Sequence, residues 1–263
     1  MEILSGMRKP DEGYFEILGK KIDRDTKVSP FTMRENSIGH IPEDRHKHGL
    51  ILGFEAYENM VLGFHNTEMT GGKKLLDKNH MLMHAAERMD EYDIRPRNPK
   101  LLASSFSGGN QQKIVVAREL YKNPKLLIVG EPTRGVDVGA IEFIHKQLIE
   151  LRDQGCAIIL VSVELDEILG LSDRILVMNK GQEVSTVNGD DANPKDPQVV
   201  YWYGQALIVS EVGETPKPED VNSAKAVYQK GIQDIPNDPM LVVGLAHIEL
   251  LQGGDINSIK QKF

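Results

Sequence analysis

At 263 residues the chain is long enough for one large domain, or for a domain with a smaller module attached. Its 31 basic and 39 acidic residues leave a net charge of -8, which argues against general nucleic-acid affinity, and its single cysteine excludes an internal disulfide framework. The opening MEILSGMRKPDEG has no secretory-signal run, and the longest apolar stretches, LLIV and AIILV, are far too short to cross a bilayer, so a soluble protein of a reducing compartment is expected.

In chain order, YFEILGKKI (14–22) and SIGHIP (37–42) read as strands bounded by turn residues. A long, mostly helical stretch follows, containing AYENMVLGF and KKLLDKNHMLMHAAERMDEY. Next come the strand KLLIV and a helix over 139–153, with Ile141, Ile144, Leu148 and Leu151 on one face. The strand AIILVS, the short helix ELDEIL and the strands RILVMN and QEVSTV complete this part. Strand–helix–strand order around apolar strands implies an α/β fold, with a largely parallel sheet and a helical insertion. Cys156, opening the run CAIILV, reads as a buried strand thiol.

Residues 187–197, VNGDDANPKDP, form a polar, turn-rich joint, and only helical patterns follow. NPKDPQVVYWYGQALI (193–208) matches IPNDPMLVVGLAHIEL (235–250), with Pro194, Asp196 and Pro197 corresponding to Pro236, Asp238 and Pro239. Between them Ala224, Tyr228, Gly231 and Pro236 resemble helix B of a tetratricopeptide repeat, and Val200, Tyr203, Gly204 and Leu207 would face inward from the preceding helix. The expected domains are therefore 1–188, a linker at 189–197, and a small all-α repeat segment at 198–263. A plain helical hairpin is the alternative for this last part.

SFSGGNQQKIVVAREL (105–120) carries the most chemistry. Ser107, Gly108, Gly109 and Asn110 open a helix whose first turn has free N–H groups and a positive dipole end. Glycines admit close approach, and the serine hydroxyl adds a donor, which together suit a terminal phosphate. By itself such a start is commonly an ordinary capped helix.

The order of motifs sharpens the reading. The stretch resembles the signature sequence of ABC-type ATPases, and LLIVGE then resembles their Walker B strand. PTRGVD is similar to the D-loop, IILVSVELDEI to the switch strand, and IGHIPEDRHKHGL (38–50) to the loop that normally carries a glutamine facing the membrane partner. The Pro-Glu-Asp-Arg form, with SGGNQQK and PTRGVDVGA, resembles the second cassette of double-cassette sugar and nucleoside importers, over about residues 1–188. The fold implied is a truncated ABC-type ATPase domain, cytoplasmic and peripheral at the inner face of the membrane when assembled.

Departures from the family pattern set the expected chemistry. No Gly-rich loop with Lys-Ser/Thr appears, so the chain alone is not expected to bind ATP. Gly130 stands at the Walker B aspartate position, Glu43 at the loop glutamine and Val163 at the switch histidine. Glu131, at the general-base position, and Asp137 in the D-loop persist. Phosphoryl transfer depends on positioning and charge neutralisation together, so Glu131 is expected to be vestigial.

The resemblance implies that ATP is sandwiched between two cassettes, the signature of one facing the phosphate loop of the other. The cofactors expected are thus ATP and Mg in a site shared with a partner cassette, with no metal held by this chain. Ser107, Gly108, Gly109, Asn110, Asp137 and Glu43 are the nucleotide-site residues carried over. The expected partners are another cassette, membrane subunits through the Glu43 loop, and a protein or peptide on the repeats; nucleic acid is not expected. A protein-interaction module and a fusion without evolved function are the competing readings. His80 and His84, four apart, and His46 and His48 read as solvated; Met81, Met83 and Met89 read as gap fillers, and Trp202 as repeat core. An open sheet edge and poor solubility are also expected, from the lack of a first strand.

Overall fold

The computed structural model describes residues 1–65, 67, 70, 71, 75–179, 181–188, 217–236 and 238–254. They form two compact units, Met1–Ser162 and Val163–Phe263. The expected linker at 189–197, the first repeat helix and Trp202 lie outside the described residues.

The first unit opens with an antiparallel pair, β1 (Tyr14–Ile17) and β2 (Lys20–Asp23). The single strand expected over 14–22 is thus corrected to a hairpin: Leu18 (φ 50°) and Gly19 (φ 74°) are both left-handed, the backbone that a tight two-residue turn requires. Helix α1 (Pro30–Glu35) follows, with Ser29 and Thr32 closing a reciprocal cap. β3 (Ile38–Ile41), β4 (Leu126–Gly130) and β5 (Ala157–Val161) make a parallel sheet in the order β3-β4-β5. Between β3 and β4 run a single π-helical turn (Arg45–Gly49), α2 (Ala56–Met60), α3 (Lys78–Glu91) and α4 (Gly108–Leu120). Helix α5 (Val138–Asp153) joins β4 to β5 and buries Ala140, Ile144, Leu148 and Leu151. Ile141, expected on that face, is only half-buried.

All five residues of β4 are buried because both its faces are covered. Leu126 and Ile128 pack with Ile17, Ile22, Met33 and Ile38 from the hairpin, α1 and β3. On the same sheet Gly39 lies against the main chain of α4 at Glu119 and against Leu127. Each buried Leu, Ile or Val contributes roughly 1.5–3 kcal/mol, which makes β4 and α4 the axis of the unit.

β5 is as apolar as β4 but is exposed at alternate positions, with Ile159 and Val161 37% and 43% accessible. Among the described residues no strand pairs with its outer edge. Such an edge is a template for association between copies. Ile159→Lys is therefore expected to raise the concentration at which the protein stays monomeric in light scattering, with little change in melting temperature. A fall in soluble yield for that variant counts against the edge as the cause.

The second unit holds α6 (Leu165–Leu171), the antiparallel pair β6 (Arg174–Asn179) and β7 (Gln182–Asn188), α7 (Pro218–Asp234) and α8 (Pro239–Leu251). α7 and α8 run antiparallel, since Gln252 bonds back to Asn222 and Lys225. Val221, Ala224, Tyr228, Leu241, Leu245 and Ile248 form their core, and Gly244 lies so close to the Tyr228 ring that a Cβ would collide with it. Ala224, Tyr228 and Gly231 are buried, the spacing singled out in the sequence. Among the described residues no helix is long and apolar enough to cross a membrane.

Candidate functional site

Ser107 has extended backbone and caps α4: its Oγ accepts from the Asn110 N–H (3.4 Å) and from Asn110 Nδ2 (2.9 Å). Asn110 Oδ1 accepts from the Arg95 N–H at 2.7 Å, which fixes the amide's orientation. Because both bonds are accepted from Asn110, the Ser107 hydroxyl proton remains available to another acceptor.

The two glycines meet the turn that leads into α5. A Cβ on Gly108 would lie 2.8 Å from the Gly135 carbonyl oxygen and 3.0 Å from Nη2 of Arg45. One on Gly109 would lie 2.7 Å from Asp137 Oδ2 and 2.9 Å from Ala140 Cβ. Asp137 caps α5, accepting from the Ala140 N–H at 3.0 Å. The structure thus brings Ser107, Gly108, Gly109, Asn110 and Asp137 together where two helices begin.

Glu43 and Glu131 stand at the end of the parallel strands. Glu43 is exposed and its backbone N lies 3.1 Å from where a Gly130 Cβ would be; the Met1 side chain covers the same spot. Glu131 is buried and has φ 43°, an unusual conformation for a side-chain-bearing residue that costs on the order of 1–3 kcal/mol. Its N–H donates to the Val161 carbonyl at 2.8 Å, extending the β4–β5 pairing by one residue. Val163, expected at the switch position, is 51% exposed. Among the described residues no three His, Cys, Asp or Glu side chains are grouped to hold a metal ion.

The loop after β3 carries contacts that the sequence did not reveal. Asp44 caps its π turn, accepting from the His46 and Lys47 N–H groups. Arg45 Nη1 donates to the Arg134 carbonyl at 2.8 Å. His46 Nε2 lies 2.8 Å from Gln111 Oε1, and Gln111 Nε2 donates to the Ala103 and Phe106 carbonyls. That assignment makes His46 the donor, so His46 is engaged rather than merely solvated. Arg118 Nη1 donates to the Gly49 and Asn59 carbonyls, holding the far end of the loop. The string Pro-Glu-Asp-Arg was the only sequence signal for Arg45.

Beneath this loop is a buried ion cluster. Glu119 accepts from Arg118 Nε (2.9 Å), Arg34 Nη2 (3.1 Å) and the His40 N–H (3.3 Å). Burial pushes Glu119 up, but the two guanidiniums and their hydrogen bonds outweigh it and hold the carboxyl below its ordinary value. Burial pushes the His40 imidazole down to about 4 against the opposing pull of Glu119. His84 is also buried, its ring edge-on to Tyr121 at 4.6 Å, which corrects the solvated reading; His80 is exposed. Met81 and Met89 fill the core, whereas Met83 is 65% exposed.

The fold is that of an ATP-binding cassette. It is similar to a dimeric post-hydrolysis state of the cassette MJ0796 bound to ADP and Pi (TM-score 0.60, 22% identity, 71% of this chain and 78% of that one). A nucleotide-free cassette from an ABC transporter is equally similar (TM-score 0.61, 23% identity, 77% and 81%). In sequence the chain is 44% identical over 196 residues to the guanosine import ATP-binding protein NupO of Bacillus subtilis (strain 168) and 47% over 182 residues to the nucleoside import ATP-binding protein NupA of Lactococcus lactis subsp. cremoris (strain MG1363). These matches take in 74% and 69% of this chain but only 38% and 35% of those proteins. Residues 1–134, just over half of the chain, match the ABC transporter family, and the chain belongs to it.

Proposed function

We propose that the chain serves as an ATP-binding cassette subunit of a sugar or nucleoside importer, as a half that cannot hydrolyse ATP by itself and that presents Ser107–Asn110 to ATP held by another cassette. The packing of the Gly108 and Gly109 backbone into the Gly135–Asp137 turn supports this reading, because it seats the first turn of α4 while Ser107 stays exposed. Free N–H groups, a dipole from a 13-residue helix and the Ser107 hydroxyl suit the terminal phosphate of ATP. The guanosine and nucleoside import proteins among the relatives support the class of transport, and assembly with membrane subunits at the inner face of the membrane follows from it.

Among the described residues no group of carboxylates fits magnesium. Gly130 offers no carboxylate where the strand ends, and Glu131 would be a base without the charges that make phosphoryl transfer possible. The ion would come with the nucleotide, held by the other cassette. The isolated chain is expected to turn over no ATP above background. Turnover that Glu131→Gln abolishes contradicts the hydrolysis-deficient half of the proposal.

A second reading rests on the α7–α8 hairpin. Its Tyr228–Gly244 packing and the buried Ala224, Tyr228 and Gly231 support a tetratricopeptide-like pair that binds a protein or peptide. Capture of a partner by the full chain that Gly244→Val abolishes and Gly108→Val leaves intact favours this reading over the first.

A further inference from the structure

Arg45 sits where three functional segments meet. Its Nη1 donates to the Arg134 carbonyl at 2.8 Å, and its Nη2 lies against the backbone of Gly108 and of Gly135. Its Nε is buried without a hydrogen-bond partner, so among the described residues the guanidinium's hydrogen bond is the one to Arg134. Asp44, one residue earlier, makes the loop stiff by capping the π turn. His46, one residue later, bonds to Gln111 on α4, and Gly49 is held by Arg118. The Asp44, His46 and Gly49 attachments thus run to the loop's own backbone or to α4, whereas Arg45 crosses to the 131–137 turn.

We infer that Arg45 is a positioning residue that makes the 43–50 loop and the 131–137 turn move as one body. A guanidinium bonded to a carbonyl transmits displacement because the bond is charge-assisted and directional. A push on the exposed loop at Glu43 is then delivered to Arg134–Asp137, and through Gly135 and Asp137 to the backbone of Gly108 and Gly109. The loop needs no contact with nucleotide to govern whether the signature turn is correctly placed. Its use in transport rests on the reading of Ser107–Asn110 given above, but the mechanical link itself does not.

Hydrogen exchange on the full chain tests the link. Arg45→Ala is expected to speed exchange of amides in 133–137 by about tenfold, the loss of one charge-assisted bond, while the α5 amides 144–151 stay unchanged. Arg45→Lys, which retains one charged donor, gives a smaller rise. His46→Ala, which loosens the loop on the α4 side, also speeds exchange at 133–137, and that effect disappears in the Arg45→Ala background. Unchanged protection in Arg45→Ala overturns the inference, as does an effect of His46→Ala that adds fully to that of Arg45→Ala. Failure of the signature reading would show separately, as a wild-type chain that no ATP-loaded cassette captures.

Discussion

Glu119→Gln lowers the stability of the first unit by about 3–5 kcal/mol, a fall of roughly 10 °C or more in melting temperature. The carboxylate is fully buried and bonded to Arg118, Arg34 and the backbone of His40. An amide in its place would keep the shape but leave the buried Arg118 guanidinium, which also holds the Gly49 and Asn59 carbonyls, without its counter-charge. The two residues act as a unit, so Arg118→Met combined with Glu119→Leu is expected to cost less than the two single changes added. Urea titration of all four proteins measures this, and full additivity contradicts it.

The same cluster sets the response to acid. An unfolded histidine binds a proton near 6.5, whereas folded His40 does so only at about 4, so stability falls as pH drops across that window. Glu119, held below its ordinary value, contributes stability above the unfolded carboxylate range and loses it as pH falls further through the folded value. His40→Asn should flatten the first of these losses.

Gly108→Val is expected to weaken ATP-dependent association with a competent cassette by at least about 100-fold. The new side chain would start 2.8 Å from the Gly135 carbonyl, which is backbone in a tight turn, and 3.0 Å from Arg45. The Arg45 guanidinium can swing aside, but the carbonyl cannot yield without moving the first turn of α4, and a misplacement of about an ångström is enough for a loss of this size. Gly139→Ala is the control. Its Cβ meets only Asp137 Oδ1 at 3.5 Å, an ordinary contact, so association should be unchanged.

Local patterns are legible in the sequence. Ser107 ahead of two glycines announces the start of α4, and LLIVG the strand that the structure buries on both faces. Helix 139–153 can be read from its apolar spacing because its outer face is polar. α4 cannot: Gln111, Gln112, Lys113, Arg118 and Glu119 are all buried, so its periodicity conceals a helix buried on every side. The Leu18–Gly19 turn escapes a sequence reading because a leucine at positive φ is rare enough to be taken for strand. The Arg45–Arg134 and Arg118–Gly49 bonds join residues 89 and 69 positions apart, and no local pattern encodes such pairs. At the candidate site, the residues that meet can be named from the sequence, while the contacts that hold them together cannot.

Whether this chain lends its Ser107–Asn110 turn to ATP held elsewhere is read by mixing the purified chain with a cassette that has its own phosphate-binding loop and measuring complex formation by sedimentation, with and without ATP. The predicted result is a complex that needs ATP, is lost in Gly108→Val and survives in Glu131→Gln. A complex that forms equally without ATP, or that Gly108→Val leaves intact, contradicts it.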